Sequence, residues 1–399
     1  MAHAAALPRG HASPVPLAIA ETARIPWYIW CCLLATTSAT IGGVWDISWH
    51  ESIGRDSFWT PAHMMIYLCG VLAGIACGFL ILATSFNPRS PLRDSSVRMW
   101  GFRAPLGAFV AAWGGVAMLV SAPFDNWWHN AYGLDVKVLS PPHVVLILGI
   151  LAIRYGTLLL ILGAMNRTAS DALRKRLDWL FLYVGCLLVG GIYSAFMEMT
   201  VRVFMHSARF YLITGLVVPI MLAPVARASI RRWAATISMA MLMAIACAFV
   251  WILPLFPAAP KLGPVYQAVT YFVAPEFPKL LIAGAILFDL LRSSAKSRGW
   301  GDWKLAVLGG VGFLAAFLLV QWPFADFLMS PASRNWFFAT HLNFPYFTAP
   351  DSPYVHNQFV ALEPTAAAFW KTMGFAFLAS ILSTRVGLAW GASLQRIKR

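Results

Sequence analysis

About ten apolar runs decide what this chain can fold into. They lie near residues 27–45, 63–85, 102–122, 143–164, 178–197, 210–226, 234–254, 277–293, 304–322 and 366–386. Each approaches the ~20 residues that an α-helix needs to cross a bilayer. Inside hydrocarbon every backbone polar group must be bonded within the protein, so only helices and closed barrels span. A barrel uses ~10-residue alternating segments, not continuous apolar runs. Composition agrees: 59% of the 399 residues are hydrophobic and 12% charged, against about 25% charged in soluble domains. A soluble enzyme and a disordered chain are both excluded. The expected fold is all-α, a polytopic integral membrane protein with about ten transmembrane helices.

The formal charge of +14 would suggest nucleic acid in a soluble protein. Here it points to basic loops that orient a membrane protein, with no nucleic-acid partner. With the N-terminus in the cytoplasm, 21 of the 30 Lys and Arg fall in cytoplasmic segments. Both termini are then cytoplasmic, in the inner (plasma) membrane. Seven histidines (His50, His63, His129, His143, His206, His341 and His356) gather on the outer, periplasmic side. The first run lacks a basic stretch before it and a small-residue cleavage site, so it reads as a span. The six cysteines form no CxxC and read as core thiols.

Two stretches repeat each other: WDISWHESIGRDSFWTPAH, 45–63, and FDNWWHNAYGLDVKVLSPPH, 124–143. Both hold Asp-x3-His, a Trp before that His, Gly four and Asp six residues after it, and Pro-x-His at the next apolar run. The unit is a helical hairpin with a polar outer loop. This divides the chain into a tail (1–26), a first hairpin (27–99), a second (100–176), further helices (177–322), a long outer loop (323–365) and a last helix with a basic tail (366–399). Asp46 and His50, at i and i+4, share one helix face. Thr60-Pro61 predicts an N-cap with a first-turn proline, so His63 opens the next helix. Ser140-Pro141 does the same for His143. Asp46, His50 and His63 can therefore converge, as can Asp125, His129 and His143. Two imidazoles and a carboxylate suit zinc, copper or non-haem iron and leave a position open. Helix capping at the membrane surface would use the same residues.

Trp49-His50, Arg55-Asp56-Ser57 and Trp59-Thr60-Pro61-x-His63 resemble the C subunit of the copper membrane monooxygenases, which act on ammonia, methane and short hydrocarbons. That subunit carries an Asp-x3-His-x12-His copper site, and Asp46-x3-His50-x12-His63 has its spacing. The resemblance implies copper at these residues, O2 activation, a small apolar substrate, partner subunits and an electron donor. It covers about 25 residues. The second copy has x13 spacing, and Leu134 stands for the Arg.

Further candidates surround these sets. Asp56 and Asp135 could orient a ligand histidine or pair with Arg55 or Lys137. Met64 and Met65 follow His63, as soft donors or as packing. Glu198 and His206 flank Arg202 and could extend a metal or proton-handling site. The 323–365 loop could act as a lid, with His341 and His356 as ligands. Arg154 and Asp289 lie within apolar runs, where ions are paired or functional. Pro275-Glu276-Phe277-Pro278-Lys279 echoes the hairpin entry without its His and reads as chance or a degenerate copy. No nucleotide-binding or HExxH motif is present. Besides the oxygenase, the sequence allows a metal-handling transporter or a structural subunit of a membrane complex.

Overall fold

The computed structural model describes residues 24–54, 59–133, 139–259, 269–343 and 358–398. Its helices are α1 (Trp27–Ser52), α2 (Pro61–Phe86), α3 (Leu106–Tyr132), α4 (Pro141–Arg167), α5 (Asp171–Ser194), α6 (Ala208–Ala228), α7 (Ala234–Ile252), α8 (Leu281–Arg298), α9 (Asp302–Met329) and α10 (Ala366–Leu394). The one sheet among the described residues is a hairpin of two three-residue strands, β1 (Val97–Met99) and β2 (Phe102–Ala104), between α2 and α3. The protein is an all-α, polytopic membrane protein. Among the described residues, nine helices are long and apolar enough to cross a bilayer. Large apolar side chains on them, including Leu34, Ile75, Phe79, Leu119, Leu319 and Trp370, face outward, as contact with lipid requires.

The eighth run departs from expectation. Pro275 and Pro278 deny two backbone donors, and the segment before α8 runs without helix. The N–H of Ala274 instead donates to the Leu342 carbonyl (3.2 Å). The helix begins at Leu281 and slides into Asp289, Arg292, Lys296 and Arg298, so α8 is not among the nine apolar spans. It still runs the length of the bundle. Glu276, before its start, bonds to Arg202 after α5. Arg292, near its end, donates to the Arg231 and Arg232 carbonyls before α7 (2.8 and 2.7 Å). The described chain therefore runs end to end ten times, and α1 starts at the end where α10 finishes.

The duplication is visible in the helices. α1 and α2 have 26 residues each, and α3 and α4 have 27. Asp46 and Asp125 are each the twentieth residue of their helix, His50 and His129 the twenty-fourth. His63 and His143 are each the third. Gly54 and Gly133, four residues after His50 and His129, have φ of 88° and 85°. Side chains resist that left-handed region, which explains the repeated glycine.

Buried polar groups at the opposite end are structural. Asp178 accepts from Ser229 Oγ (2.8 Å) and the Ile230 N–H (3.2 Å), with Arg231 at 2.9 Å. Asp289 accepts from the N–H and Oγ of Thr236 (2.8 and 2.9 Å) at the start of α7. Its ion pair is Arg292, at 3.4 Å. Arg154 is held elsewhere: its Nη2 donates to Thr40 Oγ1 of α1 (2.9 Å), so a pair between Arg154 and Asp289 does not form.

Candidate metal centre

Asp46 and His50 stand one turn apart on the last turns of α1, and His63 stands on the first turn of α2. Thr60 places it: its Oγ1 accepts the His63 N–H (3.3 Å) ahead of Pro61. The end of α1 is pinned from outside the hairpin. Ser48 Oγ donates to the Val273 carbonyl (2.6 Å), and the Val273 N–H donates to Ser52 Oγ (2.8 Å). Trp45 and Trp49 pack on Phe272.

Both imidazoles turn Nε2 toward one carboxylate. His63 Nε2 is 3.1 Å from Asp46 Oδ1, and His50 Nε2 is 3.8 Å from Asp46 Oδ2. One ligand atom from each of the three lies within 4.8 Å of the others. Donors bound at ~2.0–2.1 Å around a tetrahedral ion stand about 3.3 Å apart, so this spacing suits a shared cation. Among the described residues, Asp46 Oδ1 is buried and forms no well-aligned hydrogen bond, although His63 Nε2 stands 3.1 Å away. A buried carboxylate oxygen with a poorly aligned donor is costly; a metal ion would satisfy it. Asp46 and His63 are about one-fifth exposed and His50 is 47% exposed. The centre is thus covered on one side and open on the other.

The second set repeats the arrangement more loosely. His129 Nε2 is 3.3 Å from Asp125 Oδ2, and His143 Nε2 is 3.6 Å from Asp125 Oδ1. Asp125 Oδ1 is again buried without a hydrogen bond. Among the described residues, however, only the first set closes within 4.8 Å. Three differences accompany the looser set. Pro123 lies inside α3 two residues before Asp125, where a proline removes one helical hydrogen bond. The stretch between the two histidines is one residue longer, because α3 runs one residue further past His129 than α1 does past His50. Ser140, expected to cap α4, makes no side-chain capping bond, and its Oγ is buried without a partner.

Other expected residues go elsewhere. His206 is stacked between Trp322 and Phe359, with ring centroids 4.2 and 3.7 Å away. Its Nε2 lies 3.2 Å from the Trp322 carbonyl and 3.4 Å from Asp326. It joins neither set. Glu198 is exposed on a single 3-10 turn, Met197–Met199. Glu363 accepts the Arg209 N–H (3.0 Å) at the start of α6, and His341 is exposed in a turn. Asp56, Asp135, Asp351 and His356 lie outside the described residues.

The segment 275–279, read as chance or a degenerate copy of the hairpin entry, has a definite place. Glu276 Oε1 accepts the Arg202 N–H (2.7 Å), and Lys279 Nζ donates to Glu276 Oε2 (3.0 Å). Burial works against the Glu276 carboxylate, but Lys279 and Arg202 outweigh it and hold its pKa below the usual range. Lys279 is penalised by burial too, and Glu276 raises its pKa above the usual lysine value. This clamp ties α8 to the turn after α5. Its signal in the sequence was an acid and a lysine at i,i+3 between prolines, which does not reveal Arg202 as the third member.

Comparison of the chain with family models, with curated proteins and with solved structures finds no match.

Proposed function

We propose that the protein is a copper-dependent oxygenase of the membrane, or the metal-bearing subunit of one, which uses O2 to hydroxylate a small apolar substrate. One observation carries this reading: Asp46, His50 and His63, in Asp-x3-His-x12-His order, converge within 4.8 Å from two helices. Copper at these residues would supply the electron-transfer chemistry that O2 activation requires. Two imidazoles and a carboxylate also accept zinc or iron; the resemblance of the motif selects copper.

The side chains have separate tasks in this reading. His63 and Asp46 anchor the ion on the covered side. His50, half-exposed, leaves the approach open. Trp45, Trp49 and Phe272 form an apolar wall that keeps water from the α1 end of the site. The reaction needs an electron donor and draws on partner subunits beyond this chain. The basic residues at the opposite end support, by the positive-inside rule, a centre on the outer face of the inner membrane. Metal transport is the weaker reading, because Arg154, a cation midway along α4, would repel metal ions passing inward.

The test is elemental analysis of purified protein, followed by donor-dependent O2 uptake. Wild type is expected to hold copper, about one ion per chain at the tighter centre. His50→Ala with His63→Ala removes it and abolishes O2 uptake, while His129→Ala with His143→Ala retains it. Absence of metal after copper loading would overturn the reading.

A further inference from the structure

The hairpin that carries the Asp46 centre has a second cluster of metal-binding side chains at its other end. Cys32 of α1 and Cys77 of α2 face each other with sulfurs 3.6 Å apart. Both are fully buried. Each is 14 residues from its partner centre, Cys32 from Asp46 and Cys77 from His63, or about 21 Å at 1.5 Å per residue. Cys32 is only five residues from the start of α1, so the pair lies close to the basic end of the bundle. Beside it, Cys31 lines a groove of about 570 Å³ between the two helices, with Trp27, Leu72, Ile75, Ala76 and Phe79.

We propose that Cys32 and Cys77 form a two-coordinate site for a soft monovalent cation, with Cu(I) as the biological ion. Sulfur donors select such ions over hard divalent ones. Metal–sulfur bonds of ~2.3 Å place the two sulfurs of a linear site about 4.5 Å apart. Each sulfur therefore withdraws by about half an ångström, which side-chain rotation supplies without separating the helices. The surroundings set the proton balance. The apolar core penalises a net charge, so the incoming cation replaces one thiol proton. Two S–metal bonds form, one S–H bond breaks and one proton leaves to water. The site stays neutral as a thiolate and a thiol around one monovalent ion. No electron is transferred. This site is independent of the oxygenase reading, since neither sulfur belongs to the Asp46 centre.

The test uses the full-length, reduced protein in detergent, with Ag(I) as a redox-inert probe. In the His50→Ala/His63→Ala background, titration is expected to show about one tightly held Ag(I). Roughly one proton should be released per ion, and X-ray absorption should show two sulfur neighbours. Cys32→Ser and Cys77→Ser each abolish that equivalent, while Cys31→Ser and Cys69→Ser retain it. Should a serine variant fail to fold, the absorption spectrum of the parent protein still decides. Nitrogen or oxygen neighbours, or undiminished tight binding in folded Cys32→Ser and Cys77→Ser, would overturn the proposal. Failure of copper loading at Asp46 with this result intact would overturn only the oxygenase reading.

Discussion

Asp46 is the hinge of the first centre, because each of its oxygens faces a different histidine. Asp46→Asn keeps the shape and removes the anionic donor. Copper is expected to fall from about one per chain to near zero, with helix content by circular dichroism unchanged; full retention of copper would remove Asp46 from the ligand set. Arg154 poses a different problem. Among the described residues its guanidinium donates to Thr40, its Nε is buried without a hydrogen-bond partner, and no carboxylate pairs with it. It fits only because residue 191 has no side chain: a Cβ there would overlap the Arg154 guanidinium. Gly191→Ala should therefore cost about 1–3 kcal/mol, read as a lower melting temperature. In an Arg154→Met background the same change should cost markedly less, since neighbours that share a contact are not additive. Equal costs in the two backgrounds would show that the clash is relieved elsewhere. At the Glu276–Lys279 clamp the sign of the pH dependence follows from the shifts. The depressed Glu276 pKa stabilises the fold above the ordinary carboxylate range and is lost as pH falls through the folded value. The raised Lys279 pKa stabilises the fold below the ordinary lysine value and is lost as pH climbs through the folded value. Glu276→Gln should cost about 2 kcal/mol at neutral pH, by leaving Lys279 and Arg202 with a weaker partner. It should also flatten the acid limb of the stability profile; an unchanged acid limb would count against the clamp.

Each hairpin is held by small residues where its helices cross. In the second, a Cβ on Gly114 would come within 2.6 Å of the Gly149 carbonyl, and one on Gly107 would overlap the Gly156 carbonyl. The residues of each pair lie seven apart on both helices, so the two contacts share one seam. In the first, Gly42 plays this part against Ala62 and Ile66. Close approach of this kind is how membrane helices gain dispersion energy without a hydrophobic drive between them. The seams also set the distance between the helix ends that carry the metal-binding side chains. Gly114→Val should force α3 and α4 apart and lower any metal affinity at Asp125, while metal at Asp46 is kept. Loss at both centres together would mean that the two hairpins do not behave as separate units. The glycine caps act at the same level. Gly133, at φ 85° and ψ 178°, occupies a region closed to other residues at about 1–3 kcal/mol.

At the scale of the molecule, the ten helical passes among the described residues put the start of α1 and the end of α10 at one end. Arg167 donates to the Lys398 carbonyl there (2.6 Å). Reporter fusions at the two termini should therefore agree with each other, and a reporter after Gly133 should give the opposite side. Agreement of all three would remove the even number of crossings. Length, hydropathy and charge determined much of this unaided: apolar runs of about 20 residues can satisfy their backbones in lipid only as helices. The duplicated Asp/His/His pattern was legible too, because i,i+4 spacing on a helix and a Thr-Pro cap are local rules. Three things were decided by tertiary structure alone. The start of α8 at Leu281 is met by a side chain far along the chain, since the Leu280 N–H donates to Gln321 Oε1. The partners of Arg154, Asp289 and Glu276 depend on which helices become neighbours, which hydropathy along the chain does not specify. The difference between the two centres is the third. Both sets have the same donors in sequence, but the distances between helix ends depend on how the helices of each hairpin pack, which residue spacing along one helix does not encode.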